Sequence, residues 1–216
     1  MRNGKRGAEH MMEARPNIWP LSVVPFLILG LVACSPPQTP PALSLNDVRL
    51  DKAEAFIDAF YSFDAGRLAP LLADAPDSKA GLLYYQGWAE GGNYKIVDRG
   101  ACVLAEVSLT IVCPITVQDD PVLALQTGFN VTDTFTITFE QEKLVSVETS
   151  SNDQPIYYQA REWVLENMPD IMEGPCDGFF DGGATPVECA RAMTYGYQQF
   201  AQSDAFPVAA SPDSSE

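Results

Sequence analysis

Between Leu43 and Gln202 the apolar positions recur first at helical and then at strand spacing. Ala53, Phe56, Ile57, Phe60 and Tyr61 follow Asp51-Lys52-Ala53-Glu54, which has the form of a capping box, and predict a helix. Asp64 is placed to cap a second, short helix carrying Leu68, Leu71 and Leu72, interrupted by Gly66 and Pro70. Ser78 opens a third that runs to Ala89, with Leu83, Tyr84, Gly87 and Trp88 on one face and Gly91-Gly92 as its stop. The period then changes. Tyr94–Glu106, Leu109–Val117, Phe129–Phe139 and Leu144–Ser150 are rich in Val, Ile, Thr and Phe, as strands are. In the third of these, Phe129, Val131, Phe135, Ile137 and Phe139 share one face and Asn130, Thr132, Thr134, Thr136 and Thr138 the other. This is the alternation of an antiparallel strand with one dry side and one wet side. Glu140–Lys143 is its hairpin connection. Two helices close the pattern: one through Ile156, Tyr157, Ala160, Trp163, Val164 and Met168, ending near Pro169, and one opened by Thr185-Pro186-Val187-Glu188 with Ala190, Met193, Thr194, Tyr197 and Phe200 on its stripe.

A different pattern precedes the domain. Leu21–Ala33 is an apolar run of 13 behind Arg2, Lys5, Arg6 and Arg15. As a helix it would span only about 20 Å, short of the roughly 30 Å hydrocarbon core of a bilayer, so it reads as an export signal over residues 1–33. Met11 and Met12 stand beside Met1 as alternative translation starts. The run ends in Leu31-Val32-Ala33-Cys34-Ser35, which resembles the bacterial lipobox. That resemblance implies cleavage before Cys34, acylation of Cys34, and membrane attachment through more than one acyl chain, which a stable anchor needs. Ordinary cleavage after Ala33 would instead leave Cys34 a free thiol. By the same resemblance, Ser35 next to the lipidated residue favours the outer membrane in a two-membrane envelope. Residues 34–42 then form a proline-rich tether, extended at about 3.1 Å per residue. At the other end, 203–216 is small, acidic and without period, and reads as a disordered tail. Residues 43–202 remain as one domain.

The whole chain carries 13 Lys+Arg against 29 Asp+Glu, a formal charge of -16. Removing residues 1–33 takes away four basic and two acidic residues, so the remainder stands at -18 and has lost His10, the only histidine. This surplus of negative charge opposes nucleic-acid binding, which depends on Lys and Arg. The missing imidazole excludes His-dependent triads, His-ligated zinc and imidazole acid–base chemistry. No cofactor or metal is expected.

Four cysteines remain after Cys34, allowing three pairings, and an exported chain meets an oxidising compartment. Cys102 and Cys113 fall on consecutive strands, where opposed residues lie within disulfide reach. Cys176 and Cys189 bracket a glycine-rich loop. The favoured pairings are Cys102–Cys113 and Cys176–Cys189.

The order helix, short helix, helix and then antiparallel strands resembles the nuclear transport factor 2-like superfamily, which includes SnoaL-like enzymes and ketosteroid isomerase. The resemblance is carried by AEAFIDAFYSFDAGRLAPLLADA, LLYYQGWAEGGNY and DTFTITFEQEKLVSVE, and covers Asp51 to about Asp153. It implies an α+β fold in which a curved antiparallel sheet wraps the N-terminal helices into a cone, here with a C-terminal two-helix extension. It also implies a small, largely apolar ligand inside the cone, and a homodimer, which these sheets commonly form. The superfamily's catalytic residues do not carry over: the histidines of its dehydratases are absent, and no Asp-Arg-Asp relay is evident.

Within the domain, Asp133 shares the dry face of Val131, Phe135 and Ile137, where a carboxylate is pushed toward neutral pKa and can act as an acid–base group. The alternative for a residue at the strand's start is a place on a wet rim or at a bulge. By alternation Asp98 falls with Tyr94, Ile96, Cys102 and Leu104 while Arg99 points away, unless a bulge at Gly100 reverses the face. Asp119-Asp120-Pro121 reads as turn chemistry. Tyr84, Trp88, Tyr94 and Phe135 are the expected pocket lining, with plain core as the alternative for the aromatics around the third helix. The loop Gly174–Gly183, with Phe179-Phe180, reads as a stapled structural loop rather than a lid. Two functions follow. One is a non-catalytic, lipid-anchored envelope protein that binds a small apolar ligand or a protein partner. The other is a SnoaL-like isomerase, dehydratase or hydrolase using Asp133 or Asp98 with tyrosine donors. A pocket above roughly 300 Å³ holding a buried Asp within reach of a Tyr hydroxyl would favour the enzyme.

Overall fold

The computed structural model describes residues 44–105, 109–178 and 186–207. The signal segment, Cys34, the tether and Leu43 lie outside the described residues, as do Phe179-Phe180 and the tail beyond Pro207. The chain is α+β. Its order is α1 (Leu45–Phe60), α2 (Ala65–Leu71), α3 (Pro76–Gly91), β1 (Lys95–Arg99), β2 (Val103–Leu104), β3 (Thr110–Gln118), α4 (Asp120–Ala124), β4 (Val131–Glu140), β5 (Lys143–Ser151), α5 (Pro155–Asn167), α6 (Pro169–Met172) and α7 (Pro186–Ala201).

Two helices begin earlier than the capping pattern predicts. For α1 the capping box is Ser44 with Asp47, and Asp51 and Glu54 lie inside the helix. For α3 the start is Pro76 at the first turn, while the Ser78 hydroxyl accepts from the Val147 amide of β5 and ties helix to sheet. Asp64 caps α2 as expected, accepting from the Gly66 amide. The five-residue α4 follows Asp119-Asp120-Pro121, whose turn chemistry proves to be a cap, since Asp119 accepts from the Val122 amide. The C-terminal extension has a third element, the single-turn α6. Beyond α7, Phe206 packs its ring on Phe200, so ordered chain continues past Gln202 to Pro207.

The sheet is antiparallel throughout, in the order β1-β3-β4-β5, with β2 also paired to β3. Its inner face is apolar but for Asp133: Ile111, Cys113, Ile115 and Val117 from β3 pair with Ile137, Phe135, Asp133 and Val131 from β4. Thr116 and Thr132 pair on the other face, hydroxyl to hydroxyl at 2.8 Å. Against the inner face lie Ala53, Phe56, Ile57 and Phe60 of α1, a stripe at helical spacing that is buried almost completely. The Phe56 and Phe60 rings meet Phe135 edge-on at 5.9 and 4.9 Å. Phe135 is therefore fully buried core and not part of the cavity wall described below, a correction to its sequence assignment. Gln86 of α3, buried, donates to the carbonyls of Ala59 and Phe60 and satisfies the end of α1.

A second core joins the end of α3 to α4, α5, α6 and α7 through Ala160, Val164, Ala190, Met193, Tyr197 and Phe200. Close approach there depends on two glycines. A Cβ on Gly91 would run into the Val187 backbone, and one on Gly196 would meet Val164 Cγ2 at 2.6 Å. The disulfides Cys102–Cys113 and Cys176–Cys189 are both formed, the first bridging the start of β2 to β3 and the second fastening the α6 region to α7.

Candidate functional site

Where the two cores meet, a cavity of about 360 Å³ remains. Each wall has a local reason to be there. From α3 and its exit come Tyr84, Tyr85, Trp88 and Tyr94. Tyr84, Tyr85 and Trp88 fall within one turn, so they share the end of the helix that overhangs the sheet. The start of β4 supplies Val131 and Asp133, two residues apart and thus on one face. Opposite Asp133 in the register is Ser151, and Thr149, Ser150, Ser151 and Asp153 form the rim at the end of β5. The first turns of α5 add Tyr157, Tyr158 and Arg161. Tyr84, Trp88 and Tyr94 thus line the cavity, as does Asp133.

Asp133 is 1 % exposed, inside the sheet rather than on a wet rim. Its Oδ2 accepts a hydrogen bond from the Tyr61 hydroxyl at 2.9 Å, and Tyr85 donates to it as well. Burial pushes its carboxyl up to about 6, against the lowering effect of those two donors; the negative Asp153 adds to the rise. The tyrosines shift in the same direction. Burial, reinforced by Asp133, raises Tyr61, Tyr85 and Tyr94, so all three remain neutral phenols.

Asp98 is elsewhere. The β1–β3 register slips between Ile96 and Asp98, leaving Val97 as the extra residue. Ile96 opposes inward-facing Val117 and Arg99 opposes inward-facing Ile115, so Asp98, opposite Thr116, is exposed on the outer face. The bulge is three residues earlier than Gly100 but reverses the face in the same way. Arg99 consequently meets Glu54 and Asp58, one turn apart on α1. This exposed cluster joins sheet to helix and is no part of the cavity.

Three participants do not stand out in the sequence. Tyr61 reads simply as part of the α1 stripe, and Tyr157 as part of the α5 stripe. Asp119, a turn residue by its sequence, is 1 % exposed, with one oxygen capping α4 and the other buried without a hydrogen-bond partner. Burial pushes its carboxyl up to about 7; the Val122 amide pulls it down and Asp133 pushes it further up. The signal that could have exposed Tyr61 is only its place one residue beyond the helix end.

Among the described residues no group of three or more His, Cys, Asp or Glu side chains is placed to hold a metal ion. Nor is any helix there long and apolar enough to cross a membrane. No protein-family model, curated protein or solved structure matches the chain.

Proposed function

We propose that this is a lipid-anchored protein of the bacterial cell envelope, held at Cys34, whose nuclear transport factor 2-like cone binds a small molecule in the tyrosine-walled cavity. The observation that carries the binding reading is the cavity itself: about 360 Å³, bounded by two cores and walled by rings from α3 and α5. Ligand sites in small domains have this size and this mixture of aromatic surface with a few polar groups. The cone is supported by the order of elements and by the packing of α1 and α3 on one face of an antiparallel sheet. The lipid anchor rests on the sequence at Leu31–Ser35 alone.

A second reading, proton transfer by Asp133 in an isomerase, dehydratase or hydrolase, has one observation in its favour. A carboxyl near 6 in a cavity of this size beside a tyrosine hydroxyl meets the size and distance criterion for an enzyme. The direction of the hydrogen bonds tells against it. Tyr61 donates to Asp133 and lies outside the cavity wall, and Tyr85 spends its hydroxyl on the same carboxylate. Neither is left to donate to an oxyanion on a substrate, a part that would fall to another tyrosine of the wall such as Tyr94, whose oxygen accepts from Trp88 and keeps its proton.

Native mass spectrometry of the protein purified from membranes tests the binding reading. A small molecule should accompany it, and Thr149→Trp, which fills the cavity rim, should displace that molecule. Retention by the filled variant would remove the cavity as the site. Cys34→Ala should abolish lipid labelling; continued labelling would remove the anchor.

A further inference from the structure

The cavity combines tyrosine rings with carboxylates. Its rings are arranged as crossed pairs: Tyr85 and Tyr94 stand at 88° with centroids 6.4 Å apart, and Tyr157 and Tyr158 at 87° and 6.0 Å. Edge-to-face pairs are the ordinary way such rings pack, and a tyrosine face turned to a space is electron-rich and attracts a cation. Two carboxylates border the same space. Asp133 is buried at the sheet end, and half-buried Asp153 at the rim is held by Ser151 at 2.6 Å and Tyr158 at 3.4 Å. Buried Asp119 adds to the same local field, being close enough to Asp133 to be perturbed by it. Arg161 is the one cation among the described lining residues, and its guanidinium lies over the Tyr158 ring, 5.4 Å from the centroid. Two acids against one base leave the wall net negative.

We propose that the ligand of this cavity is a protonated organic amine with an aromatic or apolar body, its ammonium group directed at Asp133 and enclosed by the Tyr85, Tyr94 and Tyr157 rings. This rests on the binding reading above and specifies its ligand class. It also gives Tyr61 and Tyr85 a clear part to play, since their donated hydrogen bonds aim the carboxylate and favour its charged form. An ammonium placed in the cavity would favour that form further, which makes the amine and the ionised Asp133 mutually stabilising.

Three probes of one shape separate the alternatives by isothermal titration into the full chain in detergent at about pH 8: 2-phenylethylamine, 2-phenylethanol and phenylacetate. The amine should bind about tenfold or more tightly than the alcohol, the ratio that a desolvated cation over aromatic faces supports, and phenylacetate should bind least. Asp133→Asn should remove the preference for the amine while leaving the alcohol bound. If that variant fails to fold, Asp153→Asn at the rim should lower the preference severalfold. Equal binding of amine and alcohol, or tightest binding of phenylacetate through Arg161, would overturn the amine inference and leave the binding reading in place. Failure of all three probes to bind would remove the binding reading, and the inference with it.

Discussion

The Tyr61 hydroxyl donates to Asp133 Oδ2 at 2.9 Å, joining the end of α1 to the start of β4 across 72 positions of chain. The contact holds the buried acid of the cavity wall in a fixed direction. It also lies beneath the Phe60 and Phe135 rings, which pack edge-on against Tyr61 at 5.0 and 6.1 Å.

Tyr61→Phe should therefore keep the ring packing and lose only the donor. The Asp133 carboxyl should titrate above about 6 in the variant, because a bond to the charged form has gone. Stability should fall by about 2 kcal/mol where Asp133 is ionised, and by less where it is protonated. Carboxyl-detected NMR titration and urea unfolding on either side of the transition measure both effects.

The two buried acids give the domain a defined pH dependence. Asp133 and Asp119 are raised from 3.8 to about 6 and about 7, so the folded state holds protons that the unfolded chain has already released. Stability is then highest below the unfolded value, falls as pH rises through the two folded values, and levels off above about 7. Asp119→Asn retains an oxygen for the Val122 amide and removes one of the titrations. Its Tm should exceed that of the parent at about pH 8 and match it more closely at about pH 4, giving a shallower curve. Parallel curves would show that Asp119 is not the group responsible.

Gly91 and Gly81 lie in the same helix and should respond oppositely to alanine. At Gly91 the new methyl meets the Val187 backbone, which cannot rotate away as a side chain can, and Gly91→Ala should cost about 1–3 kcal/mol through separation of α3 from α7. At exposed Gly81 nothing lies within 4 Å, and Gly81→Ala should add about 0.5–1 kcal/mol by reducing the freedom of the unfolded chain. Thermal unfolding of the pair decides this.

The Cys176–Cys189 bridge closes a loop spanning 13 positions and holds α6 to the second core. The double change Cys176→Ser, Cys189→Ser should cost about 3 kcal/mol by the chain-entropy relation. Because Trp163 and Phe200 pack together in that core, tryptophan fluorescence should report its loosening. An unchanged denaturation midpoint would mean that the bridge constrains nothing the fold does not already constrain.

Much of this architecture is legible in the residue pattern. Alternation through Val131, Phe135 and Ile137 determines a strand with one dry face, and it places Asp133 on that face, because side-chain direction in a strand has a period of two. Strand spacing likewise leads to Cys102–Cys113, and the bracketed glycine-rich loop to Cys176–Cys189. Tertiary structure decided what period alone could not. One extra residue at Val97 exchanges the faces of Asp98 and Arg99, and a local pattern does not reveal where a ladder will slip. Phe135 and Tyr94 are equally apolar positions on paper. The first became core because α1 lies over it, while the second became cavity wall because no side chain among the described residues fills the space between the two cores. Tyr61 looks like one more ring on a helical stripe. Only the fold, by bringing the last turn of α1 against the first residues of β4, turned its hydroxyl into the partner of a buried acid, since burial leaves each of those polar groups no water to bond and makes the other its replacement.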